Sequence, residues 1–337
     1  MRDDILTRIL IFFFLFYLID TFAQIKLPPI DNFSVEDYKG GNQNWDIEND
    51  NGFIYVANNE GLLEFDGTNW YLNSLPTKSI LRSVKVFGNR IYTGSYEEFG
   101  FWERSNTGVL NYTSLSQSLT DKDLDSQSIW EIFEFKGNII FKSFSTIYVY
   151  ENNQIQVIKP GIILMAAAVL NDRFIVHGLN RGLLELRNGK LEIIENTEEL
   201  AAYRVQSIIL LENDEILLGT SLHGCFKYMN NEVIKWDNAF NDLLKDHQLN
   251  TLSYSNGKLF AGTIKNGIYQ YDIKNNSYIN LNVKNGLQNN TVLASTIDDS
   301  NFLWLALDNG ISVIPISFYA HYLNPYKEDI GAVYDIV

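Results

Sequence analysis

Any reaction centre in this 337-residue sequence would have to be built from four histidines, one cysteine and a scatter of carboxylates. His177, His223, His247 and His321 lie far apart, and there is no His-Glu-x-x-His, no nucleophile elbow, no cysteine pair and no glycine-rich phosphate loop. Asp298-Asp299-Ser300-Asn301 lacks the glycine and the distal glutamate of a calcium loop, so it reads as a strand-connecting turn. Glu97 and Glu98 are neighbours on one loop and are badly placed to flank a scissile glycosidic bond. His177 reads as a packed side chain and Cys225 as a small buried hydrophobe. The expectation is a non-catalytic chain that needs no metal and no cofactor. What remains is recognition chemistry: Asn59, Tyr96, Glu97, Glu98, Phe99, Arg181, His223, Lys265 and Asp308 all fall in short polar loops. Aromatic planes beside carboxylates and amides suit a sugar, whose C–H faces stack on rings while its hydroxyls take directed hydrogen bonds. The competing reading has Tyr96 and Phe99 packing between sheets and the glutamates merely solvated.

Those loops punctuate a repeat. An alternating strand ending at a small residue, a short polar loop and a second alternating strand recur around Ala57, Gly94, Ser143, Gly178, Gly219, Gly262 and Ala306, at intervals of 35 to 49 residues. The sixth copy shows four strands, near 249–254, 258–262, 267–272 and 278–281, separated by Ser255-Asn256-Gly257, Ile264-Lys265-Asn266 and Lys274-Asn275-Asn276-Ser277. A four-stranded unit of this period cannot bury both of its faces alone. The pattern therefore predicts an all-β fold, a seven-bladed β-propeller of four-stranded antiparallel blades over residues 24–317. Helical patterning is confined to 196–203 and 238–247. The seventh copy lacks a fourth strand, and residues 32–38, ahead of the first copy, are expected to supply it along the outer edge. In such a ring the loops after each second strand and those between blades gather on one face, where the nine loop residues would meet.

The net charge of −15, spread along the chain, excludes functions that depend on neutralising phosphates, so no nucleic-acid contact is expected. Arg2 and Arg8 precede an apolar run from Ile9 to Ile19, followed by Thr21-Phe22-Ala23. That run covers about 16 Å, roughly half a bilayer core, so residues 1–23 read as a signal peptide and the protein as exported. Residues 318–337 resemble the opening of a further repeat, which marks the chain as the front portion of a longer one.

The stretch from Asn285-Gly286-Leu287 through Asp298-Asp299-Ser300-Asn301-Phe302-Leu303-Trp304-Leu305-Ala306-Leu307 to Gly310-Ile311 resembles the two-component regulator propeller repeat. It departs at Ala306-Leu307, where the repeat carries Gly-Thr; Gly219-Thr220 and Gly262-Thr263 keep that pair but lack the Trp. Seven copies in register cover about residues 45–314. Asn44-Trp45-Asp46-Ile47 and the phrase from Gly94 to Trp102 are most similar to the subgroup with a helix-turn-helix output. The resemblance implies the periplasmic sensor region of a bacterial hybrid two-component or LuxR-like transmembrane regulator, anchored in the inner membrane as a whole protein. Its membrane and output modules are not in this sequence. An oligosaccharide or other small polar ligand is the implied partner. A protein-interaction scaffold and a secreted polysaccharide-cleaving enzyme are the other readings the fold would serve.

Overall fold

Alternation and turn chemistry act together to make each sheet. Asn51-Gly52, Lys136-Gly137, Asn171-Asp172 and Asn256-Gly257 join first to second strands with both φ values positive, the backbone of a two-residue hairpin turn that follows the strands' own twist. Lys258–Thr263 accordingly pairs with Leu249–Ser255 on one side and Ile268–Asp272 on the other, with Ser277–Leu281 outermost. Gly267, at the head of the third strand, sits at φ +69°, and a Cβ there would lie 2.0 Å from the Leu281 carbonyl oxygen. Only glycine fits where the outer strand crosses so closely.

The computed structural model describes residues 27–317. The leader expected at 1–23 and the further repeat expected at 318–337 lie outside them. Seven four-stranded antiparallel sheets form seven blades. Their innermost strands are Asn44–Asp50, Ser83–Phe87, Glu131–Phe135, Leu164–Leu170, Val205–Leu210, Leu249–Ser255 and Val292–Ile297, each lying against the next, the seventh against the first. The buried apolar side chains fall into seven clusters, one at every blade-to-blade interface, so the ring has no open seam. Among the described residues no helix is long and apolar enough to cross a membrane.

Closure follows the expected route with a shorter strand. Asp31–Phe33 pairs with Ile311–Val313 as the outer strand of blade seven. The expected strand does not run on to residue 38, because Ser34 starts a helical turn, Val35–Tyr38, in which the Asp37 carboxylate accepts from Ser34 N (2.6 Å) and Ser34 Oγ (2.7 Å). That turn swings Tyr38 into the core between blades seven and one. Residues 238–247 form the helix Ala239–His247 capped by Asn238, whereas 196–203 holds only a 3₁₀ turn, Glu198–Ala202. A short helical turn, Asp121–Leu124, carries no helical pattern long enough to be read from the sequence.

Three sequence readings of chemistry-bearing residues find structural counterparts. His177 is buried, its Nε2 2.9 Å from the Leu200 carbonyl, and burial lowers its pKa. Burial pushes the Cys225 thiol up. The Asp298 carboxylate accepts from Phe302 N (2.9 Å) and Trp304 Nε1 (2.8 Å), which closes its turn.

Candidate functional site

The innermost strands enclose a central channel of about 750 Å³, within the roughly 300–1,000 Å³ range of small-molecule sites. What faces it is decided where each innermost strand begins. In blades one, four, five, six and seven the pairing of first and second strands slips at that point, releasing Trp45, Met165, Gln206, Asn250 and Leu293 from the regular register. A bulge re-aims a side chain in this way, and all five line the channel. In blades two and three the equivalent residues, Arg82 and Trp130, stand just ahead of the strand and also line it, their N–H groups donating to Gly94 O and Lys142 O (both 2.8 Å). Seven blades thus contribute one side chain each to a ring at one end of the channel.

The ring is lopsided. Blades four to seven offer neutral side chains; blades one to three offer two indoles, a guanidinium and nearby charges. The Arg82 guanidinium carbon lies 3.9 Å from the Trp45 ring centroid and 5.1 Å from that of Trp130. Trp45 and Trp130 meet edge-on at 5.9 Å, and Phe144 packs on Trp130 at 5.3 Å. Lys142 is 1% exposed and paired with Glu131 at 2.6 Å; Lys85 pairs with Glu48 at 2.5 Å. Asp46 accepts from Val84 N (3.0 Å) and Ile47 N (2.9 Å). Half-buried in the channel wall, it has its pKa raised to about 7, chiefly by desolvation, against the opposing pull of those amides and Lys85.

The nine loop residues meet this ring only in part. Asn59 Oδ1 accepts from Trp45 Nε1 at 2.7 Å and so fixes the indole. Gln43 links Asn59 (3.3 Å) to Asp308 (2.7 Å), which brings blades one and seven together beside Trp45. Arg181, His223 and Lys265 are exposed on loops of blades four, five and six, and His223 packs on Tyr203 at 4.6 Å.

The blade-two loop is corrected by the structure. Phe99 is 0% exposed, wedged against Phe141 and Tyr148 between blades two and three, so its ring offers no stacking face. Glu98 accepts from the Tyr112 hydroxyl at 2.7 Å, on the outermost strand of the blade, and burial beside that carboxylate raises the Tyr112 pKa. Glu97 has a left-handed backbone (φ 52°) and accepts from Ser126 N at 3.1 Å, bracing the next connection. Tyr96 alone is open, at 52% exposure, with its backbone bridged to Ser128.

Sequence reasoning passed over Arg82, Trp130, Phe144 and Lys142 as site residues and quoted Trp45 only within a motif. A signal was there: Trp45, Arg82, Trp130, Met165, Gln206, Asn250 and Leu293 each stand twelve or thirteen residues before the small anchor residue of their own repeat.

Neither a family profile nor a curated protein sequence matches the chain. Solved structures do. The extracellular domain of BT4673 from B. thetaiotaomicron, described as part of a one-component system, aligns with a TM-score of 0.67 at 17% identity, over 85% of this chain and 40% of that one. The extracellular domain of the hybrid two-component system BT3049 from the same organism aligns at 0.65 and 18%, over 85% and 42%. A streptogramin B lyase aligns at 0.65 and 12%, over 85% and 96%. At such identities the likeness establishes the fold. The chain spans about two fifths of the two B. thetaiotaomicron domains.

Proposed function

We propose that this chain is the exported ligand-recognition propeller of a bacterial signal-transduction or transcriptional regulatory protein, binding a glycan or other small polar ligand at the mouth of its central channel and acting without turnover. One observation carries the reading: the indole and charged groups of blades one to three converge on one side of a ligand-sized channel whose opposite wall carries no charge. Binding chemistry gathered on one arc of the ring, where packing alone would favour seven similar blades, suits directional recognition. The repeat's resemblance to two-component regulator propellers and the likeness to extracellular domains of one- and two-component systems support the assignment to signalling and to the cell exterior.

The test is a saccharide array followed by calorimetry. A ligand found on the array should lose at least tenfold in affinity with Trp45→Ala or Trp130→Ala, while Tyr96→Ala, beyond the ring, leaves it unchanged. Affinity indifferent to both tryptophans would remove the channel from the site.

A protein-docking role is the second reading, favoured by Ile80, Tyr96, Phe144 and Ile163, which stand exposed on connections of blades one to four. In that case Ile163→Asp would abolish capture of a partner and leave saccharide affinity intact.

A further inference from the structure

We propose that the ligand is anionic and that the channel takes its carboxylate, carried on a saturated, sugar-like ring, on the Arg82 guanidinium. The inference rests on the channel mouth being the site proposed above.

Among the described residues, Arg82 is the one channel cation left without a partner. Lys85 has Glu48 and Lys142 has Glu131, but among the described residues Arg82 makes no ion pair and no side-chain hydrogen bond, and its Nη1 is buried with nothing to donate to. This is unexpected in a chain with 41 acidic and 26 basic side chains. An unpaired guanidinium loses hydration on entering the channel wall, and that loss weakens its hold on its own proton. Trp45 offsets part of the cost by stacking, which also holds the fork in one plane.

Nη1 is enclosed, but Nε and Nη2 are neither enclosed nor hydrogen-bonded among the described residues, and that flat edge matches a carboxylate, which can accept two parallel hydrogen bonds. Of the acids lining the channel, Glu48 and Glu131 are taken by Lys85 and Lys142, and Asp46 already accepts from two backbone amides and is held toward its neutral form by desolvation. Trp130, backed by Phe144, supplies an apolar plane for the C–H face of the same ligand; across the channel Gln206 supplies an amide and Asn250, whose Nδ2 donates to the Val292 and Leu293 carbonyls, an acceptor oxygen for its hydroxyls. A lone guanidinium among aromatics favours one carboxylate over a phosphate dianion, for which more than one unpaired cation would be needed. The chain's overall negative field opposes any anion at long range, so selectivity for an acid would have to arise at this site.

The probes are short galacturonate and glucuronate oligosaccharides against their neutral galactose and glucose counterparts, at constant ionic strength, read by tryptophan fluorescence and calorimetry. Expected is at least tenfold tighter binding of the acids. Arg82→Gln should bring acid and neutral sugar to equal affinity, and Arg82→Lys should restore only part of the preference because it keeps the charge and loses the fork. Equal affinity for acid and neutral sugar in the unaltered protein, with dependence on Trp45, overturns the anionic inference and leaves the channel site standing. Acid preference that survives Arg82→Gln, or no binding by any acid, also overturns it. Binding of either class that ignores Trp45, Trp130 and Arg82 together overturns the channel site itself.

Discussion

Replacing Phe33 with Ala tests how the ring is held shut. The closing strand is only three residues long, pairing Asp31 with Val313, Asn32 with Ser312 and Phe33 with Ile311, so its backbone hydrogen bonds alone give it little independent stability. Phe33 anchors it: the ring lies 5.4 Å from Phe65, 5.4 Å from Trp70 and 6.0 Å from Trp304, stacked parallel on the last, and so touches blades one and seven at once. A fully buried Phe→Ala costs about 3–5 kcal/mol; Phe33 is half-buried, which brings the expectation to about 2–3 kcal/mol. For a ring of this size that is roughly 3–5 °C in Tm. A freed strand also uncovers the edge Ile311–Pro315, which would then pair with other chains. Thermal unfolding followed by circular dichroism, with size-exclusion chromatography at several concentrations, reads both effects. Tyr71→Ala, on the exposed outer strand of blade one, is the control and should shift Tm by less than 2 °C. A Phe33→Ala protein that melts within 1 °C of the parent and stays monomeric would refute closure by this anchor.

Two further outcomes follow from the charges. Asp46 keeps in the fold a proton that it releases near pH 4 when unfolded, so its contribution to stability falls as pH rises from about 4 through about 7. At 1.36 kcal/mol per unit the full penalty above pH 7 is at most about 4 kcal/mol. Asp46→Asn should therefore gain stability over the parent in urea unfolding at pH 8 but hardly at pH 4; a difference that is flat with pH would contradict the desolvated, raised carboxyl. Glu97→Ala with Glu98→Ala breaks the contacts to Ser126 N and the Tyr112 hydroxyl, costing about 1–3 kcal/mol of stability and leaving channel-ligand affinity, measured by calorimetry, unchanged. A tenfold loss of affinity would place the site on the blade-two loop instead.

The architecture was legible because it is written locally. Asn-Gly turns, alternating runs and a small residue closing each second strand recur often enough to count seven blades, and the missing fourth strand of the last blade pointed to the amino-terminal segment. The extent of that segment was not legible: Ser34 and Asp37 form a reciprocal helical start in a stretch that also alternates well enough to pass for strand. Site residues were harder. Asn59 and Asp308 do come together through Gln43, but Phe99 and Glu98 look like loop chemistry in sequence and are claimed by the core and by Tyr112.

By itself, then, the sequence determined the repeat and the strand order within each blade, which depend on neighbours a few residues apart, and the count of repeats pointed to the segment that closes the ring. The tertiary structure decided which side chains see the channel. In a soluble sheet with one wet face, alternation separates inside from outside; in a propeller both faces of every blade are packed, so alternation cannot mark the wall of the channel, which is the inner edge of the sheets. Bulges and strand starts at that edge aim Trp45, Arg82 and Trp130 at a common point, although they lie 37 and 48 residues apart in the chain, and only the closing of the ring brings them within reach of one ligand.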